Sequence, residues 1–126
     1  MDRKVIYTDK APKALGPYCQ AIVGGGLVFC AGQLGFRPED GALVQGGIQA
    51  EAQQALTNLK AVLEAAGSSL SAVVKTTVYL ADIAEFAAMN EVYDKFLGAT
   101  KPARATVAVG LPRGARIQID AIALVR

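Results

Sequence analysis

The last quarter of the chain, Lys101 to Arg126, constrains the fold most, because it reads as two strands in succession. Pro102 has no N–H to give a ladder and suits the mouth of a strand. From Arg104 the side chains alternate: Arg104, Thr106 and Ala108 take one face, and Ala105, Val107 and Val109 take the other. Gly110-Leu-Pro-Arg-Gly114 is turn chemistry. From Arg116 the alternation resumes, with Ile117, Ile119, Ala121, Ala123 and Val125 opposed to Arg116, Gln118, Asp120, Ile122 and Leu124. A hairpin centred on Pro112 pairs positions of equal parity, which predicts one sheet face shared by Arg104, Thr106, Gln118 and Asp120. An arginine on an otherwise apolar strand is costly unless it meets an anion. Asp120 is one candidate anion, and a bound carboxylate is the other.

The rest of the chain supplies partners for those strands. Val5-Ile-Tyr7 is a short strand, and Pro12 keeps the segment after it out of a helix interior. Tyr18 to Val23 and Leu27 to Leu34 read as a hairpin through Gly24-Gly-Gly26, centred about Gly25. That parity points Cys19 and Cys30 to different faces, which disfavours a disulfide and makes a reducing compartment the default. Gly35 to Gly47, with Pro38 and four glycines, is expected to be an exposed loop turning at Glu39-Asp40-Gly41. From Ile48 apolar residues recur at Ala52, Ala55, Leu56, Leu59, Val62, Leu63 and Ala66, one helical stripe, with Glu51 placed in the first turn and Gly67 at a left-handed cap. Ser68 to Ser71 is loop, and Val73 to Leu80 is a β-branched strand. Asp82-Ile-Ala-Glu85 resembles a capping box opening a second helix. Its stripe is Phe86, Met89, Val92, Tyr93, Phe96 and Leu97, ended by Gly98. A helix needs such a face merely to dock, so both stripes read as core.

The order is β-β-β-α-β-α-β-β, an α+β chain whose 126 residues are expected to form one domain, 1–126. Two helices cover one sheet face. The other face, carrying Ile122 and Leu124 beside Arg104, Gln118 and Asp120, needs a partner, and an apolar content of 52% points to self-association. Thirteen basic and eleven acidic residues, net +2, are scattered without a basic run, so nucleic-acid binding gains no support. The absence of His excludes a His triad, a His general base and nearly every mixed zinc site. Two cysteines cannot make a four-thiolate cluster. Residues 14–36 carry no formal charge, but Pro17, Gln20, Gln33 and six glycines argue against a membrane helix. Met1-Asp-Arg-Lys leads into no long apolar core, and a cytoplasmic location is expected.

Pro102-Ala-Arg104, Leu111-Pro112 and Arg116-Ile-Gln-Ile-Asp-Ala-Ile-Ala123 resemble the carboxy-terminal signature of the RidA (YjgF-type) reactive-intermediate deaminases. Ala14-Leu-Gly-Pro-Tyr18, Ala31-Gly-Gln33, Glu64-Ala-Ala-Gly67, Val74-Lys-Thr-Thr-Val78 and Phe86 to Asn90-Glu-Val-Tyr93 extend the likeness along nearly the whole chain. The resemblance implies a chorismate-mutase-like fold, one mixed sheet with two helices on one face, and a homotrimer with clefts between subunits. It implies hydrolysis of enamines or imines of 2-keto acids, such as 2-aminoacrylate, to 2-keto acids and ammonia, without cofactor or metal.

Carried over residue by residue, the resemblance makes Arg104 the carboxylate-binding residue, a role suited to a guanidinium fork. Tyr18 would close the pocket, Gly32 would present a backbone N–H, and Asn90 would be a polar residue beside the pocket. Thr106 stands where many members have Cys. Gln118 departs from the usual Ile-Glu-Ile-Glu pattern, whose first Glu is the proposed acid/base, because this chain reads Ile117-Gln-Ile-Asp120. A neutral amide orients a water but has no titratable proton near neutrality. Asp120 is the candidate substitute, about 6–7 Å further along the strand. Two readings follow: a deaminase attenuated at Gln118, or a trimer that binds keto acids or imines without turnover. A ribonuclease or translation inhibitor, attributed to some members, finds no support in a chain without His or a basic stripe.

Overall fold

In a computed structural model, which describes residues 2–125, the expected element order is present. Strands β1 (Lys4–Ile6), β2 (Ala21–Gly24) and β3 (Leu27–Leu34) precede helix α1 (Gly47–Ala65). Then come β4 (Val73–Leu80), α2 (Phe86–Leu97), β5 (Ala103–Ala108) and β6 (Ile117–Leu124). All six strands join one mixed sheet in the order β1-β2-β3-β6-β4-β5. Among the described residues no helix is long and apolar enough to cross a membrane.

That order overturns the expected hairpin of β5 and β6. β4 lies between them, antiparallel to β6 and parallel to β5. Alternation is compatible with either pairing, and burial decides between them. β6 buries Ile117, Ile119, Ala121 and Ala123 completely enough to need a strand on each side. β5 carries Arg104 and Thr106 on its inward face and buries no residue, which suits an edge. The turn segment vaults over the end of β4 instead of closing a hairpin: Val109 N–H donates to Leu80, and Ala81 N–H donates to Arg116. Within it a 3-10 turn spans Pro112–Gly114.

The register sorts the side chains. Arg104 is level with Thr76, and Thr76 with Ala121, so Arg104 and Thr106 belong to the helix-covered face. Gln118 pairs with Tyr79 and Asp120 with Thr77 on the opposite, open face, together with Ile122 and Leu124. Arg104 therefore shares a face with neither Gln118 nor Asp120, nor with Ile122 and Leu124.

The core lies between the sheet and α1, whose stripe (Ile48, Ala52, Ala55, Leu56, Leu59, Val62 and Leu63) is buried as its spacing predicts. The helix ends in a Schellman arrangement: Gly67 takes φ 79°, its N–H donates to Glu64, and Ser68 N–H reaches back to Leu63. Glu51 is not in the first turn, because the helix begins at Gly47. It turns inward instead and is 3% exposed, where its Oε1 accepts from Arg116 N–H at 2.8 Å. Arg116 Nη1 also donates to Glu85 at 3.0 Å, so the capping box is only half formed. Asp82 accepts from Ala84 N–H, while the Glu85 side chain makes no cap bond.

Three further expectations shift. The glycine turn is centred between Gly25 and Gly26, with φ 61° and 80°, the backbone of a two-residue type I′ hairpin. β2 begins at Ala21, which leaves Tyr18 and Cys19 in the preceding loop; both cysteines are free. Burial, with the charge of Asp120 adding, pushes the Cys30 thiol up to about 12. The loop 35–47 is not wholly exposed either. Phe36 is buried and bridged to Leu43, and the amide of buried Asn58 donates to the carbonyls of Leu34 and Phe36.

Candidate active site

The residues proposed for the site fall into two groups on opposite faces of the sheet. The first is built on β5 and α2. Arg104 Nη1 donates to Asn90 Oδ1 at 2.7 Å. Its guanidinium carbon lies 4.6 Å from the Tyr93 ring centroid and 5.4 Å from that of Phe86. Phe86, Asn90 and Tyr93 follow one another at i, i+4 and i+7, so one helix face presents all of them to Arg104. Tyr93 is itself fixed by a 2.7 Å hydrogen bond to the hydroxyl of buried Thr76. Thr106 stands on the same face of β5, level with Val78 and half-buried. Among the described residues no carboxylate pairs with Arg104. Asp120, the internal anion considered above, is engaged elsewhere.

The second group surrounds Gly32. β3 is irregular between Cys30 and Gln33 where it pairs with β6, and Gly32 lies in that irregular stretch. The Gln118 side chain lies directly over it: a Cβ on Gly32 would sit 2.5 Å from Nε2, 2.6 Å from Cδ and 2.8 Å from Cγ of Gln118. Gly32 has no left-handed backbone, so room for Gln118 is what its missing side chain supplies. Gly32 and Tyr18 both line a cavity of about 520 Å³, whose walls include Leu34, Phe36, Pro112 and Arg113. Tyr18 is 59% exposed, and its hydroxyl accepts from Leu15 N–H at 3.4 Å. Buried Gln20 holds the loop that carries it, donating to the carbonyls of Thr8, Ala11 and Pro12 and accepting from Thr8 N–H.

Replacing Gly32 with Ala is expected to dislodge the Gln118 side chain, since Cγ as well as the terminal amide is in the way. The overpacking should cost about 1–3 kcal/mol at most, because the open face gives the side chain somewhere to go. The Gln118 side-chain amide signals in a nitrogen–proton NMR spectrum should move while the strand amides beyond the contact stay in place. Unmoved Gln118 signals would contradict the contact.

Asp120 lies on the same open face, but its Oδ2 accepts from Tyr79 O–H at 2.9 Å. That bond to a carboxylate, aided by burial, raises the Tyr79 phenol above its usual range. Among the described residues no group of three or more His, Cys, Asp or Glu side chains converges to hold a metal ion.

Arg104 and Gln118 cannot meet within one copy. They flank β4 on strands either side of it, level with Thr76 and Tyr79. Two strand spacings across and a few residues along put their backbones about 14 Å apart. Their side chains leave opposite faces. The helical stripe assigns Phe86 and Tyr93 only to the core; their shared spacing with Asn90 is the signal that the sequence offers. Tyr79 and the Phe36–Arg113 wall carried none.

Comparison with known proteins bears on this arrangement. The family model described as Endoribonuclease L-PSP matches residues 8–125. A 2-iminobutanoate/2-iminopropanoate deaminase of Capra hircus is 49% identical over 123 residues, covering 97% of this chain and 90% of its own. The crystal structure of RidA from an Antarctic Psychrobacter species aligns with a TM-score of 0.92 at 46% identity, covering 97% of this chain and 99% of that one. That of E. coli TdcF with bound serine aligns with a TM-score of 0.91 at 38% identity, covering 98% of this chain and 99% of that one. With the match running from the loop before β2 through β6, and whole-chain superposition at TM-scores of 0.91 and 0.92, this chain belongs to the endoribonuclease L-PSP family of RidA and YjgF-type proteins.

Proposed function

We propose that this chain is a deaminase of small 2-imino acids, working in clefts that two copies of a homotrimer complete together. The observation that carries this reading is Arg104, a guanidinium oriented by Asn90 and two aromatic rings and left without a carboxylate partner among the described residues. One N–H is given to Asn90, which leaves others free for a ligand carboxylate in the fork geometry such an ion favours. The open face supports association. Phe29 at 45% and Leu124 at 52% exposure lie there beside Ile122, with no helix over them. Laying that face against the β5–α2 edge of a neighbour brings the Arg104 group of one copy toward the Gly32 group of the next.

In such a cleft Arg104 clamps the carboxylate, while the other copy provides the Gly32 backbone, Gln118 and Tyr18. Water adds through its oxygen to the imine carbon. The carbon–nitrogen bond then breaks, and the nitrogen leaves as ammonia with both protons of that water, giving the 2-keto acid. Fixing the carboxylate and the water supplies the orientation part of catalysis. Gln118 can hold the water by its amide but cannot take its proton, so proton transfer limits the rate. Non-catalytic binding of keto acids is the second reading. It is favoured by the same neutral Gln118 and by the engagement of Asp120 with Tyr79.

The deciding assay follows disappearance of an imine generated in situ by an amino-acid oxidase. The protein is expected to accelerate its loss above the spontaneous rate. No acceleration by this chain or by its Gln118→Glu variant would remove the deaminase and leave the binding trimer.

A further inference from the structure

The cavity beside Gly32 is larger than a three-carbon acid needs. About 520 Å³ lies within the range of pockets that hold ligands of many heavy atoms. Leu15, Leu34 and Pro112 give it apolar walls. Arg113 also lines it, held in place twice. Its guanidinium carbon lies 4.2 Å from the centroid of the buried Phe36 ring, and its Nη2 donates to Gly41 O at 3.0 Å.

The charges lining the cavity are not equivalent. Arg37 is neutralised by Asp40, an ion pair that lowers the Asp40 carboxyl from its usual range. Lys13 and Glu39 also line the cavity, and neither joins an ion pair among the described residues. Arg113 likewise has no carboxylate partner among the described residues. It also sits at φ 57° and ψ 30°, a left-handed backbone that a long side chain occupies at a cost. A cation pinned by a ring and a carbonyl at a cavity wall is pre-organised for an anion.

We propose that Arg113 reads a second, distal carboxylate, so that the site takes acidic 2-imino and 2-keto acids of the five-carbon dicarboxylate class. This rests on the composite site proposed above: Arg104 of one copy binds the carboxylate next to the reacting carbon, and Arg113 of the next binds the far one. A pocket of this volume holds an extended five-carbon diacid with a hydrogen bond at its far end.

The test measures binding of 2-ketoglutarate and 2-ketobutyrate to the intact assembled protein by calorimetry. The native protein is expected to bind 2-ketoglutarate about two- to five-fold more tightly, a charge-assisted bond discounted for the exposed position of Arg113. Arg113→Asn tolerates the left-handed backbone and keeps the turn, and it should bring the ratio of affinities toward one. Arg113→Lys should keep part of the preference. Equal affinities in the native protein, or a preference that survives Arg113→Asn, overturn the proposal. Arg104→Ala separates the two readings. If both acids bind and both depend on Arg104 while their ratio ignores Arg113, only the distal site falls. If neither acid binds the native protein, both readings fall.

Discussion

Gln118→Glu should raise imine hydrolysis by about 10²–10⁴-fold, the usual contribution of a positioned general acid/base. The substitution changes an amide to a carboxylate of nearly the same shape at a side chain that already lies over Gly32. It needs no repacking, so the effect should fall on kcat and change stability little. In that background Asp120→Asn should matter little, because Asp120 is turned to Tyr79 rather than to Gly32. The opposite pattern, with Asp120→Asn crippling and Gln118→Glu neutral, would assign proton transfer to Asp120. Imine disappearance measured with each variant at equal concentration distinguishes the two.

Arg104→Ala should weaken keto-acid binding about 10- to 150-fold, corresponding to the ~1.5–3 kcal/mol of a hydrogen bond to a charged group. The fold should survive. Arg104 sits half-buried on the edge strand, and what the subunit itself loses is the Asn90 bond and contact with two rings, about 1–2 kcal/mol together. Arg104→Lys should fall between, since a point charge replaces the fork but not its geometry. Calorimetry with 2-ketobutyrate reads the loss, and thermal unfolding checks the fold. Equal affinity in the two proteins would make Arg104 a structural partner of Asn90 and nothing more.

Local chemistry was legible in this sequence, and long-range pairing was not. Apolar spacing from Ile48 to Leu63 corresponds to the buried face of α1, Gly67 occupies its left-handed position, and β4 spans Val73–Leu80 as its β-branched run predicts. These features depend on neighbours a few residues away. The β5–β6 hairpin failed because a strand pattern reports which side chains share a face, not which strand lies alongside. The glycine turn shifted by half a residue because three successive glycines leave the centre undetermined until the ladder selects Gly25 and Gly26.

The same distinction holds at the site. Arg104 was conspicuous as a charge on an apolar strand, and Asn90 came with the family likeness. The two meet because α2 packs across β5, a contact no local signal encodes. Phe86 looked like core by its period, yet it is partly exposed and faces Arg104. Gln118 stands out in the sequence as a departure from the family pattern. That it rests on a glycine in an irregular stretch of β3, on the face opposite Arg104, needed the sheet order.

One ligand site should take Arg104 from one copy and the Gly32–Gln118 surface from another. Subunit complementation tests it most directly. Arg104→Ala lacks the cation. Gly32→Asp places a carboxylate against Gln118 and repels the ligand. Each alone should bind 2-ketobutyrate at least about tenfold more weakly than the native protein while remaining associated in sedimentation equilibrium. Unfolded together in equal amounts and reassembled, they should recover about a quarter of the native number of binding sites, because roughly half the copies keep each half-site and the choices are independent. No recovered site in mixed assemblies, or full binding by a native monomer at high dilution, would contradict a site shared between copies.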